Sequence, residues 1–122
     1  MSNVAIAVPA DPELARAVLA RGRRIASHFG LRWIAVRILT SPREQRDALR
    51  DLVAALGGCL VCAESHDIAA GLIEVLRREQ SRLLVIGASR RPRILRRLRC
   101  GVTERLLRAK RPFDVIVAGE HG

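Results

Sequence analysis

The sequence predicts a three-layer α/β sandwich, with helices on both faces of a five-stranded, mostly parallel sheet. Three observations carry this expectation: short apolar runs recur along the chain, the segments between them have helical period, and the joints are short. At 122 residues and 49% hydrophobic composition the chain has the size and apolar content of one core, so residues 1–122 are read as a single domain.

The elements follow in order. Val4-Ala5-Ile6-Ala7-Val8 is a continuous apolar run, the pattern of a parallel strand covered on both faces. Asp11-Pro12-Glu13 opens a helix, with a carboxylate acceptor at N-cap, proline at N1 and an acid in the first turn. Leu14, Val18, Gly22, Ile25 and Phe29 give that helix its apolar face, and Gly30 gives it a left-handed stop. The second strand runs from Trp33 to Leu39. Ser41-Pro42-Arg43-Glu44 then supplies the Ser and Glu of a capping box, Leu49, Leu52, Val53 and Leu56 the helical face, and Gly57-Gly58 the stop. Cys59-Leu60-Val61-Cys62 is the third strand, and Ser65 or Asp67 starts a third helix carrying Ile68, Leu72, Val75 and Leu76. Leu83 to Ile86 and Val115-Ile116-Val117-Ala118 are the last strands, joined to their neighbours by right-handed crossovers.

Charge is distributed unevenly. Ten of the twenty-two basic residues fall between Arg90 and Arg111 against a single acid, Glu104, so this stretch carries +9 of the formal +10. Arg93, Arg96, Arg97, Arg99, Arg105 and Arg108 are its body. Arg93, Arg96, Arg97 and Arg99, interleaved with Ile94, Leu95 and Leu98, suit one solvated helical face, but like charges at this density repel, which favours an anionic partner. The aromatics are few, Phe29, Trp33 and Phe113, and no DNA-reading motif accompanies the charge, so nucleic acid is disfavoured.

Three cysteines, an odd number, and no export signal or long uncharged apolar run point to reduced thiols and a cytoplasmic chain. Cys59 and Cys62 have C-x-x-C spacing, but strand positions three apart face opposite sides, so both are read as buried core thiols. His28, His66 and His121 share no metal-ligand spacing, and no metal site is expected.

Parallel sheets of this kind bind ligands outside the carboxyl ends of their strands, where the winding reverses. The ends to inspect are Val8-Pro9-Ala10-Asp11, Ile38-Leu39-Thr40 and Ile86-Gly87-Ala88-Ser89. After the fourth strand, Gly87-Ala88-Ser89-Arg90-Arg91 forms a basic loop, and Cys100-Gly101-Val102-Thr103-Glu104-Arg105-Leu106-Leu107 opens the last helix. Backbone N–H groups at a helix start beside arginines favour phosphate through the dipole and the guanidinium fork. Asp11 caps its helix with or without a ligand, and the two roles are compatible.

These features resemble the universal stress protein family, in which a glycine-rich loop after strand four holds the phosphates of ATP. The likeness covers essentially the whole chain and is greatest to the universal-stress-protein-like domain of KdpD-type potassium sensor histidine kinases, through Leu31-Arg32-Trp33-Ile34-Ala35-Val36, Gly87-Ala88-Ser89-Arg90-Arg91 and Glu104-Arg105-Leu106-Leu107-Arg108. The resemblance implies strand order 3-2-1-4-5. It places Pro9, Ala10 and Asp11 near adenine or ribose, Val36 against the base, Gly87, Ala88, Ser89, Arg90 and Arg91 in the phosphate loop, and Gly101, Val102 and Thr103 by the phosphates. Arg90 stands where the family has its second loop glycine, and Cys100-Gly101 where it has Gly-Ser. The implied ligand is ATP or another nucleotide, cyclic dinucleotides included.

The implied function is a regulatory, non-catalytic module. An enzyme finds no support in the residues, which offer no Gly-Lys-Ser/Thr run and no nucleophile with a base; the resemblance alone allows slow ATP hydrolysis. The alternative uses the basic surface to dock an acidic protein or an anionic membrane without a small ligand. The resemblance further implies a homodimer through the last strand and leaves open a larger sensor-kinase context.

Overall fold

The computed structural model describes residues 3–41, 47–87 and 113–118. Its elements are β1 (Asn3–Ala7), α1 (Pro12–Phe29), β2 (Arg32–Leu39), α2 (Asp47–Ala55), β3 (Cys59–Glu64), α3 (Ile68–Glu79), β4 (Leu83–Gly87) and β5 (Asp114–Ala118). All five strands pair in parallel in the order β3-β2-β1-β4-β5. This is the expected architecture, and it sets the carboxyl ends of β1 and β4 side by side.

Strand alternation divides the core in two. Val4, Ile6, Val8, Ala35 and Val85 point to one face, where α1 and α2 bring Ala15, Val18, Leu19, Ala26 and Val53. Ala5, Val36, Ile38, Leu84 and Ile86 point to the other, against Ala69, Leu72, Val75 and Leu76 of α3 and against Phe113. Side chains such as Ile6, Leu19, Leu76 and Leu84 are removed from solvent almost completely. Each contributes about 1.5–3 kcal/mol relative to exposure. At the amino ends, the buried Ser81 hydroxyl donates to the Asn3 side-chain carbonyl, tying the approach to β4 to the start of β1.

The helix boundaries follow local chemistry. Gly30 ends α1 in the left-handed region at φ 64°, its N–H returning to the last turn. Gly57 adopts φ 84° after α2, and Gly58 is fixed by packing, since a β-carbon there would lie 2.2 Å from the Trp33 indole. Of the two candidates for opening α3, Asp67 is the cap: its carboxylate accepts from Ala70 N–H at 3.2 Å. Ser65 instead closes a local turn, donating to the Asp67 carbonyl at 2.8 Å. The capping box of Ser41 and Glu44 includes positions outside the described residues.

Three expectations are corrected. Asp11 occupies the N-cap position of α1, but its exposed carboxylate makes no capping bond. Phe29 continues the apolar spacing of α1 yet is 58% exposed, because it lies in the final turn; the His28 ring meets it edge-on. Cys59 is exposed and Cys62 only half-buried. The reason is position: among the described residues β3 is an edge strand with a neighbour on one side, and none of its residues reaches full burial.

Candidate functional site

The order β3-β2-β1-β4-β5 reverses its winding between β1 and β4. Chains leaving two such neighbouring strands diverge, and the crevice between them is where this architecture binds ligands. One wall is the β1–α1 turn. Val8 N–H donates to the Val36 carbonyl at 2.8 Å, which holds the chain against β2 for one residue beyond β1. Pro9 then lifts it away from the sheet, Ala10 and Asp11 are exposed, and the Asp11 carbonyl accepts the first helical bond of α1 from Ala15 N–H at 2.8 Å. With no side-chain cap in place, the positive end of α1 and a solvated carboxylate face the same space.

The other wall begins at Gly87. Ile6 is aligned with Val85, and two residues on, the same register sets Gly87 beside Val8. A side chain at 87 has no room, since a β-carbon would lie 2.5 Å from Val18 Cγ2 on α1. Gly87 therefore lets α1 settle against the β4 end. The chain from Ala88 to Arg111, with ten basic residues and one acid, starts at this point and returns to the sheet at Phe113.

Of the sequence-derived site residues, Pro9, Ala10 and Asp11 follow β1 and Gly87 ends β4, so they stand at the carboxyl ends of two adjacent strands. Val36 lies three residues short of the β2 end, 1% exposed within the α3-side core, with its carbonyl engaged by Val8. Ala88, Ser89, Arg90, Arg91, Gly101, Val102 and Thr103 lie outside the described residues. So do Arg93, Arg96, Arg97, Arg99, Arg105 and Arg108.

A second concavity stands two strands away. Leu39, Thr40 and Ser41 after β2 and Glu64, Ser65 and His66 after β3 line a cavity of about 250 Å³. Glu64 and His66 carry no pattern in the sequence that joins them to Thr40; the parallel register of Leu39 with Glu64 does so. Among the described residues no three His, Cys, Asp or Glu side chains cluster closely enough to hold a metal ion. No described helix is long and apolar enough to cross a membrane.

The five-stranded parallel sheet in the order β3-β2-β1-β4-β5 with helices on both faces has the universal stress protein fold. Among solved structures, the chain resembles a universal stress protein in complex with cAMP, at TM-score 0.77 and 20% identity over 97% of this chain and 96% of that one. It also resembles the universal stress protein from Archaeoglobus fulgidus, at TM-score 0.66 and 16% identity over 96% and 98% of the two chains. No family model and no curated protein matches the sequence. At these identities the likeness establishes the fold.

Proposed function

We propose that the chain is a universal stress protein acting as a non-catalytic regulatory module, and that it binds a nucleotide across the carboxyl ends of β1 and β4. One observation carries the reading: the +9 stretch from Arg90 to Arg111 follows β4, whose carboxyl end at Gly87 lies beside that of β1 at the winding reversal. A nucleotide has the matching asymmetry. Its ribose hydroxyls donate to a carboxylate, and its phosphates require N–H groups and guanidinium forks. Asp11 takes the ribose end, Pro9 and Ala10 line the turn beneath it, and Val36 backs the base side from the core. Gly87 to Arg91 and Gly101 to Thr103 take the phosphates.

The cAMP held by one of the structurally similar proteins supports a nucleotide as the ligand class. Cys100-Gly101 in place of Gly-Ser removes a hydroxyl and adds a side chain where ATP phosphates approach the backbone in the resembled family, which favours ligands with fewer phosphates, cyclic nucleotides and dinucleotides included. Binding shifts the population of the chain toward a form that a partner reads. A cytoplasmic sensor-kinase setting of the KdpD type suits such a module.

Isothermal titration with cAMP, ATP and a cyclic dinucleotide tests the reading. Saturable heat is expected with at least one ligand and is lost in the Arg90→Ala/Arg91→Ala double variant. The density of the basic segment also favours docking to an acidic protein or anionic vesicle. Salt-sensitive vesicle binding that no nucleotide alters, with no nucleotide heat, selects that second reading.

A further inference from the structure

The carboxyl ends of β4 and β1 and the cavity between the ends of β2 and β3 lie in one row. β1 pairs with β2, so the middle of the β4–β1 pair and the middle of the β2–β3 pair stand two strand spacings, about 10 Å, apart. That is about the length of a mononucleotide from its phosphate to the far edge of its base. A nucleotide held by phosphate and ribose over β4 and β1 carries its base across β2. The base edge then meets the cavity of Leu39, Thr40, Ser41, Glu64, Ser65 and His66.

The polar groups of this cavity differ in what they offer a base. The Ser65 hydroxyl donates to the Asp67 carbonyl at 2.8 Å and accepts from Asp67 N–H at 3.2 Å, so it serves the turn before α3. The hydroxyls of Thr40 and Ser41 can rotate to donate or accept, and so discriminate little between bases. Glu64 is different, because an ionised carboxylate is an acceptor only, with two oxygens side by side. Its main chain is pinned: Glu64 is level with Leu39 in the β2–β3 ladder, and Ser65 N–H donates to the Leu39 carbonyl at 3.0 Å. Glu64 is also exposed, so its carboxylate is open to a ligand.

The two purines answer a carboxylate differently. Guanine presents N1–H and the 2-amino group, two adjacent donors that a carboxylate accepts as a bidentate, charge-assisted pair. Adenine presents its 6-amino donor beside N1, an acceptor. Against a carboxylate it gains one bond and sets the N1 lone pair against the second oxygen, which leaves both unsatisfied. The remaining polar atom of the guanine edge, O6, needs a donor, which the His66 imidazole or a hydroxyl supplies. We infer that the cavity between β2 and β3 reads the base of the bound nucleotide and that Glu64 selects guanine. The inference rests on the nucleotide reading given above and adds to it the identity of the base.

Calorimetric titration of the full chain with cGMP and cAMP, which share ribose and cyclic phosphate and differ only in the base, tests this. GTP and ATP form a second pair for a site that requires an open phosphate chain. Within at least one pair the guanine nucleotide is expected to bind at least tenfold more tightly. In Glu64→Gln the carboxamide offers one donor and one acceptor, the complement of adenine N1 and its 6-amino group. The guanine-to-adenine affinity ratio is therefore expected to fall at least tenfold in this variant. Glu64 is exposed, so its thermal midpoint should match wild type and confirm the fold. Equal or tighter binding of the adenine nucleotides, or a ratio unchanged by Glu64→Gln, overturns the inference and leaves the nucleotide reading standing. Absence of binding by all four nucleotides and by a cyclic dinucleotide overturns the nucleotide reading, and the selection of guanine falls with it.

Discussion

Gly87 at the end of β4 and Val18 in the second turn of α1 stand so close that a β-carbon on residue 87 would lie 2.5 Å from Val18 Cγ2. Val18 is 2% exposed and β-branched, so it has little freedom to move aside. The contact fixes α1 against the end of β4, the strand that precedes the basic segment.

Gly87→Ala should therefore cost about 1–3 kcal/mol through overpacking and lower the thermal midpoint by several degrees. Nucleotide affinity should fall with it, because the displaced helix carries Asp11. Calorimetry and titration on the same variant check both effects. Wild-type stability would mean that Val18 yields.

Asp11 and Asp67 occupy equivalent N-cap positions and should behave differently. Asp67 accepts from Ala70 N–H, so Asp67→Ala should cost about 1 kcal/mol. Asp11 makes no capping bond, and Asp11→Ala should stay within about 0.5 kcal/mol of wild type in urea unfolding while weakening nucleotide binding.

The packing of α1 over β1 gives a third expectation. A β-carbon at Gly22 would lie 2.4 Å from Ile6 Cδ1, and Ile6 is fully buried. Gly22→Ala should cost about 1–3 kcal/mol despite the better helix propensity of alanine, and adding Ile6→Val should recover part of the loss. A double-mutant cycle with no coupling between the two sites would refute the contact.

All five strands and all three described helices were legible in the sequence, because continuous apolar runs and 3.6-residue spacing report burial directly. Burial at the margins was not legible. Cys59, Cys62 and Phe29 have the composition of core residues, but an edge position and a final helical turn expose them, and both facts depend on strand order and helix end. The candidate site divides in the same way. Asp11 and Gly87 stood out as a helix start and a strand end, whereas their convergence follows from β1 lying beside β4. Glu64 and His66 gave no signal, since only the pairing of β2 with β3 brings them to Thr40.

Phosphate recognition by the basic segment predicts a salt signature. Raising salt from low to near-molar concentration should weaken nucleotide binding several-fold, as screening shortens to about 3 Å. Adenosine, which lacks phosphate, should bind weakly and with little salt dependence. Equal affinity for adenosine and cAMP at all salt concentrations would exclude a role for the arginines.

The most direct measurement is amide NMR of the ¹⁵N-labelled chain titrated with cAMP. Saturable shifts are predicted at Ala10, Asp11, Glu13 and Gly87, on the two walls of the β1–β4 crevice. Shifts confined to the Glu64 and His66 cavity, or no saturable shift with cAMP, ATP or a cyclic dinucleotide, would contradict a nucleotide site at the winding reversal.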